Sequence, residues 1–374
     1  MKNPGAGIAL VVFLVGAAGF TFFRAGRVEV VRPWPPRQKE ADSLSLPAPV
    51  AASLALASLA PSTHNTQPWK VRVISKDEVV VLLDETRLLP AVDPDRREAF
   101  VSIGAFLENL VRGAGTQGLN AEVELKTEDP AKPEVARVKF EPVAERPDPK
   151  VLEAILSRNT FRGDLPSTAL PGETVQILEG TAPSRWTFFP SGSPEGTWIR
   201  DALGESNRVQ ASRDEAMEEL ASWIRFSPRE VEHKRDGLTP AGMGLPAFAR
   251  AFMALFFNEK SVTGQSFREA GIKKAQKQAG SCAGFFVLAS PDGSPRSAVQ
   301  AGRDLEAFWL EATARGVAVQ PMSQVLEESP WKDQIASRLG IGGTVQMVLR
   351  VGLAPTPPRA VSPRRSLGSF VETP

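Results

Sequence analysis

Two short stretches of this sequence carry side chains whose types and spacing suit a flat polar ligand with an anionic end. The first runs Pro61-Ser-Thr-His-Asn-Thr-Gln-Pro-Trp69. Its prolines stiffen the backbone, and between them Asn65 and Gln67 present carboxamides that both donate and accept, as the edge of a heteroaromatic ring requires. Trp69 opens the next element and could pack beneath a ring. His64, beside Asn65, suits either a general acid or a residue that orients the loop. By residue type alone the stretch reads equally well as a turn whose amides satisfy its own backbone.

The second stretch is Arg158-Asn-Thr-Phe-Arg162. Arg158 and Arg162 stand four apart at the end of a helical pattern. In helical or near-helical geometry both guanidiniums reach one side and Thr160 adds a hydroxyl, which suits a phosphate monoester. The competing interpretation is a solvated surface turn.

Other chemistries fare worse. Cys282 is the single cysteine, His64 and His233 are the two histidines, and tyrosine is absent. An internal disulfide, a cysteine-based metal cluster and a phenolic proton donor are thereby excluded, and no zinc-ligand spacing surrounds the histidines. Gly280-Ser-Cys282-Ala-Gly284 has the spacing of a nucleophile elbow, but helix precedes it and strand follows, the reverse of what an elbow needs. Gly340-Ile-Gly342-Gly343 precedes a strand, whereas a dinucleotide loop follows one. No catalytic nucleophile and no metal site is expected. With 44 Lys and Arg against 43 Asp and Glu, no overall field favours nucleic acid.

The elements that must hold these residues are legible from periodicity. Residues 49–59 read as a short helix, 70–74 and 78–83 as strands, and Phe100, Ile103, Leu107 and Leu110 as one face of a helix. Strands follow at 121–125 and 136–143. Asp148-Pro149 caps a helix that runs into Arg158. Later come a strand near 186–189, helices near 197–209 and 215–225, a strand at 285–289, a long helix over 297–315 and a last clear strand at 345–351.

Taken together, the proline, serine, Asn-x-Gln-Pro-Trp and following strand resemble the flavin-edge loop of the nitroreductase family, and most of all its Acg-type branch. The resemblance extends to His64, Leu89-Pro90, Asp93-Pro94 with Arg96 or Arg97, Gly104-Ala105, Arg158 to Arg162, Glu219 with Trp223, Asp236 to Leu238, the Ala-Gly-Arg helix from Ala301 and Pro363-Arg-Arg365. It spans roughly residues 50–368. It implies a flavoprotein with an α+β fold, a mixed sheet flanked by helices, and an FMN site made of Ser62, His64, Asn65, Gln67, Trp69, Arg158, Thr160, Arg162, Arg364 and Arg365. In the single-domain family the arginine turn precedes the loop and two subunits share two flavin sites. Here the loop comes first, so two half-like segments, 50–147 and 148–374, would imitate that dimer within one chain and leave one site per chain. A homodimer of whole chains stays open.

Residues 3–23 carry no charge and are mostly apolar. At about 1.5 Å per residue a helix of this length spans a bilayer core, so residues 1–26 are expected to form a transmembrane anchor, with a cleaved secretory signal as the alternative. Lys2 precedes the run, whereas Arg24, Arg27, Arg32, Arg37 and Lys39 follow it, which places the soluble part on the cytoplasmic side. Residues 27–49 read as a stiff, solvated proline-rich linker. Residues 229–260 combine glycine joints with an apolar block and suit either a core helix with its loop or a lid. The expected function is an oxidoreductase in which NAD(P)H reduces FMN and the flavin reduces a nitroaromatic, quinone or similar acceptor. The alternative is a flavin-binding or flavin-sequestering protein with little turnover.

Overall fold

In a computed structural model of the chain, residues 24, 27, 32, 34–36, 38–127, 132–144, 147–355 and 359–373 are described. Apart from Arg24, the expected anchor lies outside these residues. Among the described residues no helix is long and apolar enough to cross a membrane.

Two antiparallel-rich sheets and two long helices form the frame. In the first half, helices α1 (Gln38–Ser43) and α2 (Ala48–Ala57) lead to the hairpin β1 (Trp69–Ser75) and β2 (Glu78–Leu83), helix α3 (Arg97–Thr116), and strands β3 (Leu119–Leu125) and β4 (Glu134–Pro142). In the second, helices α4 (Pro149–Ser157) and α5 (Gly172–Glu179) precede strand β5 (Trp186–Pro190), and helices α6 (Pro194–Ser212), α7 (Asp214–Trp223), α8 (Pro228–Lys234), α9 (Ala247–Phe256), α10 (Glu259–Thr263) and α11 (Gln265–Gly280) follow. Strand β6 (Gly284–Ser290), helix α12 (Pro295–Ala314), strand β7 (Val317–Pro321), helix α13 (Trp331–Arg338), strand β8 (Thr344–Leu353) and the short β9 (Val371–Glu372) complete the order.

The sheets are ordered β3-β4-β2-β1-β9 and β5-β6-β8-β7. Sequence alternation explains the first: β1 buries Trp69, Val71 and Val73 on one face. β6 and β8 are buried along most of their length and accordingly read as near-continuous apolar runs. β9 pairs in parallel with β1, Val71 opposite Val371, so the C-terminal segment returns to the first sheet. One buried cluster also joins Val71 and Val81 to Phe286 and Leu349. The two halves therefore share a core, which an expected division at residue 147 does not convey.

Helices α3 and α12, one from each half, meet at glycine. A Cβ on Gly104 would lie 1.9 Å from the Val299 carbonyl oxygen, and one on Gly302 would lie 2.0 Å from that of Val101. Only hydrogen fits there, so the two backbones touch, and the flanking residues Val101 and Ala105 of α3 and Leu305 of α12 line a shared space.

Most elements expected from periodicity are present, with ends moved by a few residues. Seven were not expected from the sequence: α1, α5, α8, α10, β7, α13 and β9. The expected solvated linker is in part folded onto the body. Trp34 packs against the core, Ala41, Leu44 and Leu46 are buried, and α1 is helical. Burial of Leu44 and Leu46, just after this helix, holds the segment against the body despite the local prolines.

Candidate functional site

The loop from Pro61 to Trp69 is held by bonds to distant backbone. His64, Asn65 and Gln67 all take left-handed backbone angles, with φ of 48°, 55° and 55°, a conformation that persists only where surroundings impose it. Those surroundings are visible. Asn65 Nδ2 donates to the carbonyls of Gly237 at 3.1 Å and Pro363 at 3.2 Å, and its Oδ1 accepts from Arg364 Nη1 at 2.9 Å. Gln67 Nε2 donates to the Arg235 carbonyl at 3.0 Å, and its Oε1 accepts from the Arg365 backbone N–H at 2.9 Å. Ser62 Oγ accepts from the Gln67 N–H at 2.9 Å. The carboxamides expected to meet a ligand edge thus staple the loop to residues 235–237 and 363–365.

Two neighbouring cavities share the wall formed by Pro61, Ser62, His64, Thr160 and Arg162. The smaller, about 50 Å³, gathers four guanidiniums, those of Arg32, Arg158, Arg162 and Arg364. No carboxylate lines it among the described residues. Around it Arg158 Nε faces Glu306 Oε1 at 3.1 Å and its Nη2 donates to the Leu59 carbonyl at 2.7 Å. Arg162 Nη1 donates to the Gly242 carbonyl at 2.8 Å. Arg364 Nη2 donates to the carbonyls of Leu59 and Ala60, both at 3.1 Å, while its buried Nε has no partner.

Arg158 and Arg162 do converge, but for a different reason than helical spacing. The helix α4 ends at Ser157, and Arg158 has already left it with φ −52° and ψ 131°. Beyond it the Phe161 N–H bonds to the Val319 carbonyl at 3.0 Å. In such an extended stretch alternate side chains share a side, so Arg158, Thr160 and Arg162 all face the cavity.

Crowding of positive charge shows in the acidities. Burial pulls Arg32 down to about 10, reinforced by Arg158, and burial pulls Arg162 down to about 10. Arg364 falls well below the usual arginine value through burial, with repulsion from Arg32 and Arg158. A buried cluster of this kind is costly unless an anion completes it.

The larger cavity, about 140 Å³, has apolar walls from Val101, Ala105, Leu305, Trp309, Pro321 and Met347 and a polar rim from Thr63, Glu98, Ser323, Gln324 and Glu327. Thr63 Oγ1 donates to Glu98 at 2.5 Å. Burial would raise Glu98, yet Arg97 and Thr63 hold it below the ordinary carboxylate value; burial and the Glu98 charge push Glu327 well above its own. The rim thus sets side by side two carboxyl groups whose acidities are shifted in opposite directions. Burial lowers His64 to about 4, against the pull of Glu98, so it is a neutral imidazole at pH 7, and its Nδ1 is buried without a partner.

Of the ten residues singled out in the sequence, seven line these cavities: Ser62, His64, Asn65, Arg158, Thr160, Arg162 and Arg364. Gln67, Trp69 and Arg365 line neither. Trp69 is fully buried 5.0 Å from the Phe106 ring, since its strand face turns into the core. Arg365 donates to the Gln67 and Trp69 carbonyls at 3.2 and 3.3 Å and borders a separate shallow depression with Arg87 and Arg229. Arg32, Glu98, Ser323, Gln324 and Glu327 carried no local signal. Arg32 lay in an apparent linker, and the others need a topology that brings α3 against the segment after β7. Cys282 is buried, with its thiol pushed up to about 11, which suits packing rather than nucleophilic attack. Glu219 and Asp236 are structural: the first accepts from the N–H groups of Ala91 and Val92, the second pairs with Arg87 and Arg225.

Glu306 gives a pH test. Burial raises its carboxyl to about 7 despite Arg158 and Arg364. The folded state therefore binds a proton there more tightly than the unfolded chain does, so this contribution is complete below about 4.5 and is lost as pH rises through about 7. Glu306→Gln is expected to flatten the fall in urea-unfolding free energy between pH 5 and pH 8. An unchanged slope would show that Glu306 does not carry it.

No family model matches the chain. Over 337 residues it is 26% identical to a Mycobacterium tuberculosis protein provisionally named NAD(P)H nitroreductase Rv3131, covering 87% of this chain and 91% of that protein. Over 329 residues it is 28% identical to a second protein of that organism, provisionally named NAD(P)H nitroreductase Acg, covering 85% and 93%. The crystal structure of the FMN-dependent nitroreductase NfnB from Mycobacterium smegmatis in complex with NADPH aligns with 57% of this chain and 94% of that one, at 18% identity and a TM-score of 0.36, too low to carry an argument.

Proposed function

We propose that this chain, a nitroreductase-family protein of the Acg-like branch, binds one FMN and works as an NAD(P)H-dependent flavin oxidoreductase toward a flat acceptor such as a nitroaromatic or quinone. The observation that carries this reading is the meeting of Arg32, Arg158, Arg162 and Arg364 around one small cavity that shares a wall with a larger, partly apolar one. A phosphate fits the first by charge and the unpartnered Arg364 Nε. A flat ring fits the second by its apolar walls and hydrogen-bonding rim. Bound there, the flavin would supply two-electron chemistry, and the side chains need only bind, orient and exclude water. Ser62 and Thr160, on the shared wall, are placed for the chain between ring and phosphate. Glu327, its carboxyl raised by burial and by the Glu98 charge, borders the ring compartment.

Each half contributes one long central helix and most of one sheet, the C-terminal β9 crossing over to the first, which supports the reading of a pseudo-dimer with a single complete site. Attachment to a membrane through residues 1–26, with the body on the cytoplasmic side, is part of the same proposal. So is the lid, for Gly237 and Gly242 wall the anion cavity and their segment is bonded to Asn65 and Arg162. That closure favours one second reading, sequestration of FMN with little turnover. Rapid mixing of the FMN-loaded chain with NADPH separates them: bleaching of flavin absorbance within seconds supports the reductase, and an unresponsive spectrum of a stably yellow protein supports sequestration.

A further inference from the structure

Helix α9 turns an aromatic face outward. Phe248, Phe252, Leu255 and Phe256 are 70, 45, 43 and 64% exposed, and their spacing of four, three and one puts them on one side. The Phe252 and Phe256 rings lie 4.9 Å apart. The opposite side is anchored: Ala251 and Met253 are buried, Met253 among Ile224, Phe226 and Val262. Four large apolar side chains on a ten-residue helix form the kind of contiguous patch that water-facing surfaces avoid.

The stretch of sequence that carries this patch is cationic, although Arg268 and Lys277 pair with Asp214 and Asp164 outside it. Residues 225–280 hold ten Lys and Arg against five Asp and Glu, a net +5 in a chain whose total is +1. An apolar helical face within a cationic segment is the chemistry of an interfacial helix on an anionic lipid surface.

Position agrees with this. The uncharged apolar run ends at Phe23, nine residues before Arg32, whose guanidinium bonds to the Leu156 and Ser362 carbonyls. Nine residues reach at most about 32 Å. Arg32 and Gly242 line the same small cavity, and Ala247, the first residue of α9, is five residues beyond Gly242. The sequence that follows the apolar run and the segment that leads into α9 therefore meet at one cavity.

We propose that α9 seats its Phe248, Phe252, Leu255 and Phe256 face in the headgroup region of an anionic bilayer, as a second contact beside the N-terminal segment. This rests on the membrane attachment proposed above. The partner is a lipid surface, because charge complementarity and the neighbouring apolar run both point to one, whereas a second copy of this chain would bring like charge against like.

The test uses the full chain with Phe252→Cys carrying an environment-sensitive fluorophore, the buried Cys282 being shielded from the label. The chain is incorporated into vesicles of phosphatidylcholine with and without phosphatidylglycerol. The expected result is a shift of emission to shorter wavelength and loss of iodide quenching in the anionic vesicles, with quenching by nitroxide-labelled lipids instead. Co-sedimentation reports attachment separately. An unshifted, iodide-accessible probe on co-sedimenting chain overturns the docking of α9 and leaves the attachment standing. Failure to co-sediment overturns both. A shift that needs no lipid and grows with protein concentration assigns the face to a second copy and also overturns the proposal.

Discussion

Replacing Gly302 by valine is expected to lower the thermal midpoint by about 4 °C or more and to abolish retention of FMN. The new Cβ would meet the Val101 carbonyl oxygen at 2.0 Å, with the Val101 carbonyl carbon and Gly104 Cα within 3 Å. All three are backbone, so no rotamer relieves the clash and the helices must separate, at a cost of more than about 3 kcal/mol. The same two helices supply Val101, Ala105, Leu305 and Trp309 to the larger cavity, so separation reaches the proposed ring site directly. Gly271, in helix α11, is the contrast: a Cβ there meets nothing within 4 Å, and Gly271→Ala is expected to stabilise by roughly 0.5–1 kcal/mol through helix propensity. Calorimetric scans of the two variants beside the parent chain check both. A Gly302→Val protein that melts with the parent would mean that the helices are not in contact.

Arg162→Ala is expected to weaken FMN binding by about 10- to 150-fold, the equivalent of roughly 1.5–3 kcal/mol for one charge-assisted phosphate contact. Arg162 lines both cavities and among the described residues has no carboxylate partner, its guanidinium donating to the Gly242 carbonyl. Its positive charge is thus free for a ligand in a way that the charge of Arg158, shared with Glu306, is not. Arg208→Ala removes an exposed arginine paired with Glu205 and should leave FMN affinity within about twofold. Fluorescence titration of the apoprotein with FMN reads both. Equal weakening in the two variants, or in neither, would remove Arg162 from the site.

The fold and the site differed in how far the sequence disclosed them. Local pattern was enough for the helix through Phe100, Ile103, Leu107 and Leu110, and for the strand after the Asn-x-Gln-Pro-Trp loop, since a buried face writes its period into the chain. For Arg158, Thr160 and Arg162 local pattern left a solvated turn equally open, and it was the family resemblance that singled them out; the chain there is extended rather than helical. It was insufficient for Asn65 and Gln67. Their partners lie 172, 298 and 168 residues away, and no local feature distinguishes an amide that meets a ligand from one that holds a loop in a left-handed conformation. Trp69 failed for a related reason: a tryptophan at a strand start fits a ring or a core equally well, and the pairing of β1 with β2 and β9 decided for the core. Arg32 was hidden by its neighbours, because prolines and charges around it resemble solvated chain until Ser362 and Leu156 offer carbonyls to its guanidinium, each at 3.3 Å.

The proposed site puts a phosphate in the arginine cavity and a flavin ring in the adjoining one. Calorimetric titration of the apoprotein with FMN and with riboflavin, which keeps the ring and lacks the phosphate, addresses it most directly. Two or more charge-assisted contacts from Arg32, Arg158, Arg162 and Arg364 predict that FMN binds at one per chain and more than about 100-fold tighter than riboflavin, with the difference shrinking as salt is raised. Equal affinity for the two ligands, or no binding of either, would contradict the account.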